Sequence, residues 1–496
     1  MRIMNRRAFV GAMGAVGASA MLGGCAPAAK EASDLASTGE ESANKAQAEP
    51  EAEWAETAKN PEVEPLLKEP APYIYTDAEI DAILAAPAVV TTEWVNEDGS
   101  TISAAHQMVR NTINRNGIGV GSIINRDHML DLWPSLFSEE EALRYSQMPF
   151  YRYFTADELT EASGKTAEEC LALCNAISDR GLLRRVYENG KPQFLTLGSE
   201  YGYYEAYVQN FTPEYLALKD ANKSDDMGLA FLDSETSMYR TLPVDLDVCI
   251  DGEYTQWDDW RDIFKRHETF SVSPCMCRVS TLMREGKAKT TQEAMDLFKA
   301  QMRDCGHPME TCICTGKNAE WLIEIGAGRE ITADEGVAIV ENSVKEGLII
   351  ETVFTKDAEN ICSCHADCCL NVGAVRALNG GPAIVNYSNF TLMHQKENCI
   401  KCGACEKQCP MFAITMDEEG YPIVDNACVR CGQCATVCPQ GVRGLKLKPE
   451  DELPYIPQTL EEDYEAKARV RIGKGYCFDI VSQEDMEAKV AAMAKA

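Results

Sequence analysis

Polar and apolar residues follow each other in a way that predicts helices at four places along the chain. At each place a threonine precedes a glutamate by three residues and an apolar stretch with helical spacing follows, which is the arrangement of a capping box. These threonines are Thr155, Thr166, Thr290 and Thr332. The second helix should run to about Asp179, and Val337, Ile339, Val340 and Val344 give the fourth an apolar face.

Residues 182–196 show a different pattern, in which two strand-like runs flank Asn189-Gly190. This dipeptide favours a tight turn, so the segment is predicted to be a β-hairpin. The order of helix, helix and hairpin resembles a winged-helix unit, within a mainly helical domain that we assign to residues 71–245. A DNA-binding unit would carry a basic second helix, whereas residues 166–180 are acidic. We therefore interpret the unit as a packing or docking module.

The N-terminus combines a pair of arginines with a short apolar stretch. Arg6-Arg7 precedes residues 11–24, and a Leu-Gly-Gly-Cys sequence ends at Cys25. The stretch is shorter than the roughly 20 residues that a membrane-spanning helix needs. Although an arginine pair also fits an ordinary signal region, these residues resemble a twin-arginine export signal followed by a lipobox. The resemblance implies a signal at residues 1–24, twin-arginine export, and a lipid anchor on Cys25 at the outer face of the cytoplasmic membrane.

The composition changes abruptly after this signal. Residues 25–70 consist mostly of Ala, Glu, Ser and Pro, with an excess of acidic residues and few large apolar side chains. Such a segment buries too little apolar surface to offset the entropy of ordering, and like charges keep it extended. We predict a disordered acidic tether between the lipid anchor and the folded part.

Two cysteine blocks near the C-terminus share the spacing Cys-x-x-Cys-x-x-Cys-x-x-x-Cys-Pro. They begin at Cys399 and Cys428. A thiolate at every third residue lets one loop hold three corners of a cubane cluster, and a fourth thiolate before a proline can cross to another cluster. Two zinc sites are the alternative, but zinc sites usually pair Cys-x-x-Cys turns across a longer spacer. The spacing predicts two [4Fe–4S] clusters.

The blocks resemble those of bacterial two-cluster ferredoxins and of ferredoxin-type domains in larger redox proteins. The resemblance covers about residues 390–447, within a domain assigned to residues 386–447, and it implies that the last cysteine of each block serves the other cluster. The implied ligands are Cys399, Cys402, Cys405 and Cys438 for the first cluster, and Cys428, Cys431, Cys434 and Cys409 for the second. Residues 413–424, between the blocks, are predicted to form two short strands around an acidic turn.

Of the 22 cysteines, nine in a Cys-rich region at residues 246–385 belong to neither block. They are Cys275, Cys277, Cys305, Cys312, Cys314, Cys362, Cys364, Cys368 and Cys369. Cys-x-Cys pairs recur among them, and residues i and i+2 of a strand point to the same side, so one pair can offer two sulfurs to one metal. We predict a third iron–sulfur cluster or another cysteine-bound metal. Disulfides and a catalytic or sensing dithiol are alternatives, and His307 and His365 are further candidate ligands.

The formal net charge of −31 disfavours nucleic acid and anionic lipid as binding surfaces, and it suits docking on a basic patch of a redox partner protein. No nucleotide-binding loop or hydrolase motif is recognisable. Residues 448–496 form a C-terminal tail, predicted to finish in a short helix, whose role no motif indicates.

These features predict a multidomain α+β protein with a mainly helical N-terminal part, a Cys-rich α/β middle region and a C-terminal ferredoxin-like two-cluster domain. The favoured function is an exported, membrane-anchored protein that relays electrons to or from a partner oxidoreductase, rather than an independent enzyme. A self-contained iron–sulfur reductase with its active site among the middle cysteines is the alternative. A redox sensor or assembly factor is a third.

Overall fold

The computed structural model describes residues 53–60, 74–85, 93–95, 99–115, 132–197, 203–219, 237–299, 306–377 and 386–473. The predicted signal, Cys25, Cys305 and the predicted C-terminal helix lie outside these residues. Helices and strands are mixed within them, so the protein has the predicted α+β character. In the described ranges, no helix is long and apolar enough to cross a membrane.

Helices predominate in the described residues before residue 219. They are α1 (Asp77–Ala85), α2 (Ala104–Arg115), α3 (Leu132–Leu136), α4 (Glu139–Tyr145), α5 (Thr160–Ser163), α6 (Ala167–Asp179) and α7 (Tyr203–Ala206). The strands of this part are β1 (Ala55–Glu56), β2 (Trp94–Val95), β3 (Thr101–Ile102), β4 (Leu183–Glu188) and β5 (Lys191–Thr196). The hydrophobic core formed by these helices and strands also contains side chains of the middle region, such as Cys312 and Trp321. The N-terminal helical part is therefore not the separate domain that the sequence predicts.

The predicted capping boxes lie at helix starts. At α6 the Glu169 N–H donates to the Thr166 hydroxyl, and the Thr166 N–H donates to the Glu169 carboxylate at 2.8 Å. The Thr155 N–H likewise donates to Glu158 at 2.9 Å, but the helix that follows is a 3₁₀ turn at Ala156–Leu159. An N-cap contributes about 1 kcal/mol to helix stability. Because its contacts join residues only three positions apart, these helix starts can be predicted from the sequence.

The predicted hairpin is present. β4 and β5 pair from Leu183 opposite Thr196 to Glu188 opposite Lys191, which leaves Asn189-Gly190 as the turn. The φ angles of these two residues are 51° and 75°, the positive values that a type I′ turn requires. The winged-helix resemblance rests on the order of α5, α6 and the β4–β5 hairpin.

The middle region is a sheet with flanking helices. Its strands are β6 (Tyr239–Leu242), β7 (Phe270–Pro274), β8 (Glu310–Thr315), β9 (Arg329–Ile331), β10 (Ile349–Val353), β11 (Asn360–Cys364) and β12 (Asn386–Tyr387), in the order β12-β6-β10-β11-β8-β7-β9. The helices are α8 (Trp260–Arg266), α9 (Met276–Arg284), α10 (Thr291–Lys299), α11 (Gly316–Glu324), α12 (Ala333–Lys345) and α13 (Leu370–Ala377). The β12–β6 pair is parallel and the other pairs are antiparallel.

This sheet crosses the boundaries predicted at residues 245 and 385. β6 precedes the first boundary and β12 follows the second, yet both belong to the sheet. Leu242 and Ile350 also share one core with Leu445 near the C-terminal end. The cysteine pattern marks where chemistry is concentrated, but the sheet is completed by strands from outside that pattern.

The C-terminal cysteine blocks lie in a small module, which we call the ferredoxin module (residues 388–447). Its strands are β13 (Phe390–His394), β14 (Ile414–Met416), β15 (Pro422–Val424) and β16 (Arg443–Leu447), and its helices are α14 (Ala404–Lys407) and α15 (Gln433–Thr436). The predicted hairpin between the blocks is β14–β15. A later helix, α16 (Leu460–Gly473), packs Leu460 and Tyr464 against Tyr239 and Val353 of the sheet.

The end of the predicted tether is an ordered strand rather than a disordered linker. β1 pairs antiparallel with β13, and the Thr57 N–H donates to the Leu392 carbonyl at 2.9 Å. The Asn60 N–H donates to the Val424 carbonyl at 2.8 Å. A strand added to a sheet edge gains backbone hydrogen bonds without an apolar core of its own, and composition alone therefore missed it.

The ferredoxin module is docked on the sheet through buried polar contacts. Gln433 is 1% exposed, and its side-chain amide donates to the carbonyls of Val344 at 3.0 Å and Leu348 at 2.8 Å. The Val244 N–H donates to the Cys431 carbonyl at 3.0 Å. The cysteine blocks are therefore part of the main core.

Candidate metal centres

The two cysteine loops adopt the same backbone path. Lys401 and Arg430, at matching places in the two blocks, have φ angles of 57° and 58°. Gly403 and Gly432 follow with φ angles of 71° and 89° and begin the short helices α14 and α15. Positive φ at these positions turns each loop so that successive cysteines face one hollow.

Each hollow is lined by four cysteines. The first hollow contains Cys399, Cys402, Cys405 and Cys438, and the second contains Cys409, Cys428, Cys431 and Cys434. These are the two sets that the crossed assignment names, because the last cysteine of each block lies with the first three of the other. Three thiols from one loop and a fourth from elsewhere give the donor number that a cubane cluster takes.

The two hollows differ in exposure. Cys402 in the first hollow is exposed, and Ile400 beside it is 57% exposed. In the second hollow Cys409, Cys431 and Cys434 are buried. The first set therefore lies nearer to solvent and the second nearer to the centre of the protein.

A buried arginine at the hollows fits an anionic group. Arg443 is 4% exposed and lies against Cys405 and Cys434. Among the described residues, its guanidinium nitrogens have no oxygen partner. Leaving a charge buried and unpaired costs several kcal/mol, so a negatively charged cluster held by thiolates would satisfy this group.

The acid–base properties of these thiols lead to the same expectation. Burial raises the pKa of Cys409 to about 12 and raises the pKa values of Cys405 and Cys434. A cysteine binds a metal as the thiolate, and thiolates in this interior need a cation to compensate for lost hydration. The residues of both hollows thus fit iron–sulfur clusters.

The comparison with protein families agrees with this geometry. Residues 398–442 match the family of the 4Fe-4S dicluster domain. No curated protein and no solved structure matches the chain. The match supports iron–sulfur clusters and an electron-transfer role for the ferredoxin module.

A third group of cysteines surrounds a cavity of about 60 Å³ in the sheet region. We call it the thiol cavity. The cysteines that line it are Cys275, Cys277, Cys312, Cys362, Cys364 and Cys369. No disulfide joins the cysteines that the structure describes.

The register of the sheet explains how distant cysteines meet in the thiol cavity. β8 and β11 are antiparallel neighbours, and the pairing of Ile361 with Ile313 puts Cys362 beside Cys312. Alternation along each strand then turns the two members of a Cys-x-Cys pair to one face. Cys277 and Cys369 come from the helix starts beyond the strand ends, and the Leu370 N–H donates to the Cys277 sulfur at 3.4 Å.

The thiols form a continuous series of contacts. Cys369 contacts Cys277 on one side and Cys364 on the other, and the series continues through Cys362 to Cys312. Hydrogen bonds from Cys277 and Cys364 lower the pKa of Cys369 to about 5. The lowered pKa favours the thiolate form of Cys369. The thiolate is the form of cysteine that binds soft metals.

The structure brings most of the nine predicted cysteines to this cavity. Cys314 contacts Cys312 but does not line the cavity, and Cys368 lies in the turn before α13. Cys305 lies outside the described residues.

Glu351, a wholly buried carboxylate of the thiol cavity, belongs to none of the motifs recognised in the sequence. It pairs with Cys362 across β10 and β11, and the Asn371 amide donates to it at 3.3 Å. Burial raises the pKa of Glu351 to about 7. A lone glutamate within the apolar stretch 348–354 was the available signal.

The second hollow and the thiol cavity are neighbours. The Ala366 N–H, just after β11, donates to the Pro410 carbonyl, just after Cys409, at 3.0 Å. Cys409 and Cys364 belong to the same hydrophobic core. The thiol cavity therefore adjoins the inner of the two hollows.

Proposed function

We propose that the chain is an exported, membrane-anchored iron–sulfur protein that relays electrons to or from a partner oxidoreductase. The observation that carries the proposal is the pair of four-thiol hollows in one docked module. Bound iron–sulfur clusters accept and release single electrons. Export and anchoring rest on Arg6-Arg7 and Cys25, whose sequence resembles a twin-arginine lipoprotein signal.

The proposed ligands follow the crossed assignment. Cys399, Cys402, Cys405 and Cys438 would hold the first cluster, and Cys428, Cys431, Cys434 and Cys409 the second. The exposed edge of the first set, with Cys402 and Ile400, is the side at which a partner would dock. The buried second set lies on the side of the thiol cavity.

We further propose that the thiol cavity binds a third iron–sulfur cluster or another cysteine-bound metal. Six thiols line this cavity. They can therefore supply all four donors that an ordinary cubane cluster or zinc site requires. The thiolate form favoured at Cys369 supports the same proposal.

Anaerobic purification followed by iron, sulfide and EPR measurements tests these proposals. Two cubane clusters give about eight irons per chain, and a third gives about twelve. Preparations with no iron or acid-labile sulfide would contradict the electron-transfer proposal. Replacing Arg6 and Arg7 with lysine should keep the protein in the cytoplasm, and normal export of that variant would contradict the twin-arginine route.

A self-contained reductase is the second candidate, and Glu351 is the observation that favours it. A buried carboxylate beside Cys364 and Cys369 could hold a proton for a bound substrate, which a simple relay does not need. Reduced viologen with small oxidised substrates distinguishes the two functions. Catalytic turnover that Glu351→Gln abolishes would favour the reductase, whereas reduction without turnover would favour the relay.

A further inference from the structure

Two histidines and an aspartate converge beside the thiol cavity. His307 precedes β8, and His365 and Asp367 follow β11. Because β8 and β11 are antiparallel neighbours, the start of one strand lies next to the end of the other. The topology therefore brings together side chains that are far apart in the sequence.

The donor atoms of these residues lie close together. His365 Nδ1 lies 2.9 Å from one oxygen of Asp367, and His307 Nε2 lies 3.2 Å from the other. All three donor groups lie within 4.8 Å of one another. The side chains are 12%, 15% and 24% exposed for His307, His365 and Asp367, so the group is largely enclosed but remains accessible.

These separations match those of ligands around a metal ion. Nitrogen and oxygen ligands about 2.1 Å from a zinc-sized ion lie roughly 3.0–3.4 Å from each other. The two nitrogen–oxygen distances given above lie within or next to this interval. The group would thus need only small side-chain movements to admit an ion.

The charges of the group also favour a cation. The Asp367 carboxylate supplies a negative charge directly beside the two imidazole rings. The centroids of the two imidazole rings are 4.5 Å apart. At this distance two imidazolium ions would repel each other. A divalent ion between two neutral imidazoles and one carboxylate satisfies all three groups.

We propose that His307, His365 and Asp367 bind one first-row divalent cation, Zn²⁺ or Fe²⁺. Two imidazoles and a carboxylate are a donor set that both ions accept. Three protein ligands leave at least one coordination position for water or a small exogenous ligand. This site is separate from the thiols and does not depend on the electron-transfer proposal.

The location connects the site to the ferredoxin module. The ring of Phe412, three residues after Cys409, packs edge-on against His365 with centroids 5.3 Å apart. The Cys369 N–H donates to the His365 carbonyl at 3.0 Å. The group of His307, His365 and Asp367 thus lies beside both the thiol cavity and the loop that follows Cys409.

The test uses the full-length protein purified anaerobically with its clusters. Zinc bound after equilibration and desalting is measured by mass spectrometry for the wild type, His307→Ala and Asp367→Asn. The control is His267→Ala, because His267 forms a similar pair with Asp357 at 3.3 Å, and no third donor joins that pair among the residues that the structure describes. Iron, sulfide and EPR spectra are recorded for every variant to verify that the fold and clusters are intact.

We expect about one more zinc in the wild type and in His267→Ala than in His307→Ala and Asp367→Asn, with affinity at the site reduced more than about tenfold. Zinc on surface groups or on vacant thiols would be equal in all four proteins and would not mimic this difference. Equal zinc in wild type, His307→Ala and Asp367→Asn, with intact clusters, would overturn the proposal. If one variant loses its clusters, the other decides the comparison.

Discussion

Replacing Arg443 with methionine should lower the reduction potential of the clusters. The side chain is buried against Cys405 and Cys434 without an oxygen partner among the described residues, so its charge acts on the hollows with little screening. At about 4–6 Å and an effective dielectric constant of about 20, a unit charge contributes roughly 3–4 kcal/mol. Since the added electron is shared across a cluster, we take about half, or about 2 kcal/mol, which corresponds to about 90 mV for a one-electron couple.

An EPR-monitored redox titration of anaerobic protein measures this shift. Arg443→Lys is the matched control, because it keeps the charge and should retain most of the potential. Arg443→Met should also stabilise the cluster-free protein, since it removes a buried charge that has no oxygen partner in the described part of the chain. Unchanged potentials in Arg443→Met with full iron content would refute the assignment of Arg443 to the hollows.

Three further predictions concern the ferredoxin module and its support. Cys405→Ser and Cys409→Ser, only four residues apart, should damage different clusters, and loss of the same EPR signal in both would contradict the crossed assignment. Gln433→Ala removes the side-chain donor to the buried Leu348 carbonyl, whereas the Val344 carbonyl still accepts from the Gly347 N–H at 3.0 Å. The variant should lower the free energy of unfolding by about 1–3 kcal/mol, measured by denaturant titration. In Gly336→Ala the new Cβ would lie 2.2 Å from the Phe264 ring, so overpacking should cost about 1–3 kcal/mol; a variant as stable as wild type would show that the ring moves freely.

Local features of this protein could be predicted from the sequence. The Thr166 capping box and the Asn189-Gly190 hairpin depend on neighbours within a few residues. The two cysteine blocks also carry their own spacing, and residues 398–442 match the dicluster family. In each case the information lies in a short stretch of the chain.

Features that depend on strand order could not be predicted. The thiol cavity exists because β8 and β11 are neighbours, although α11, β9, α12 and β10 separate them in the sequence. Spacing alone could therefore suggest that Cys312 and Cys362 bind metal, but not that they meet. Glu351 contributes to the cavity only through the β10–β11 register. The sequence suggests His307 and His365 as ligands, but their meeting with Asp367 likewise depends on the pairing of β8 and β11.

The shared core of the sheet and the ferredoxin module has a consequence for biogenesis. Strands and thiols from residues 239 to 447 are assembled into one interior, so a ribosome must release nearly the whole sequence before any cluster can be enclosed. Chains that wait for iron would keep unfilled hollows around the buried charge of Arg443, which should favour local opening and so expose the chain to the proteases of the quality-control system. We therefore expect cellular iron supply to set the abundance of the protein as well as its redox competence.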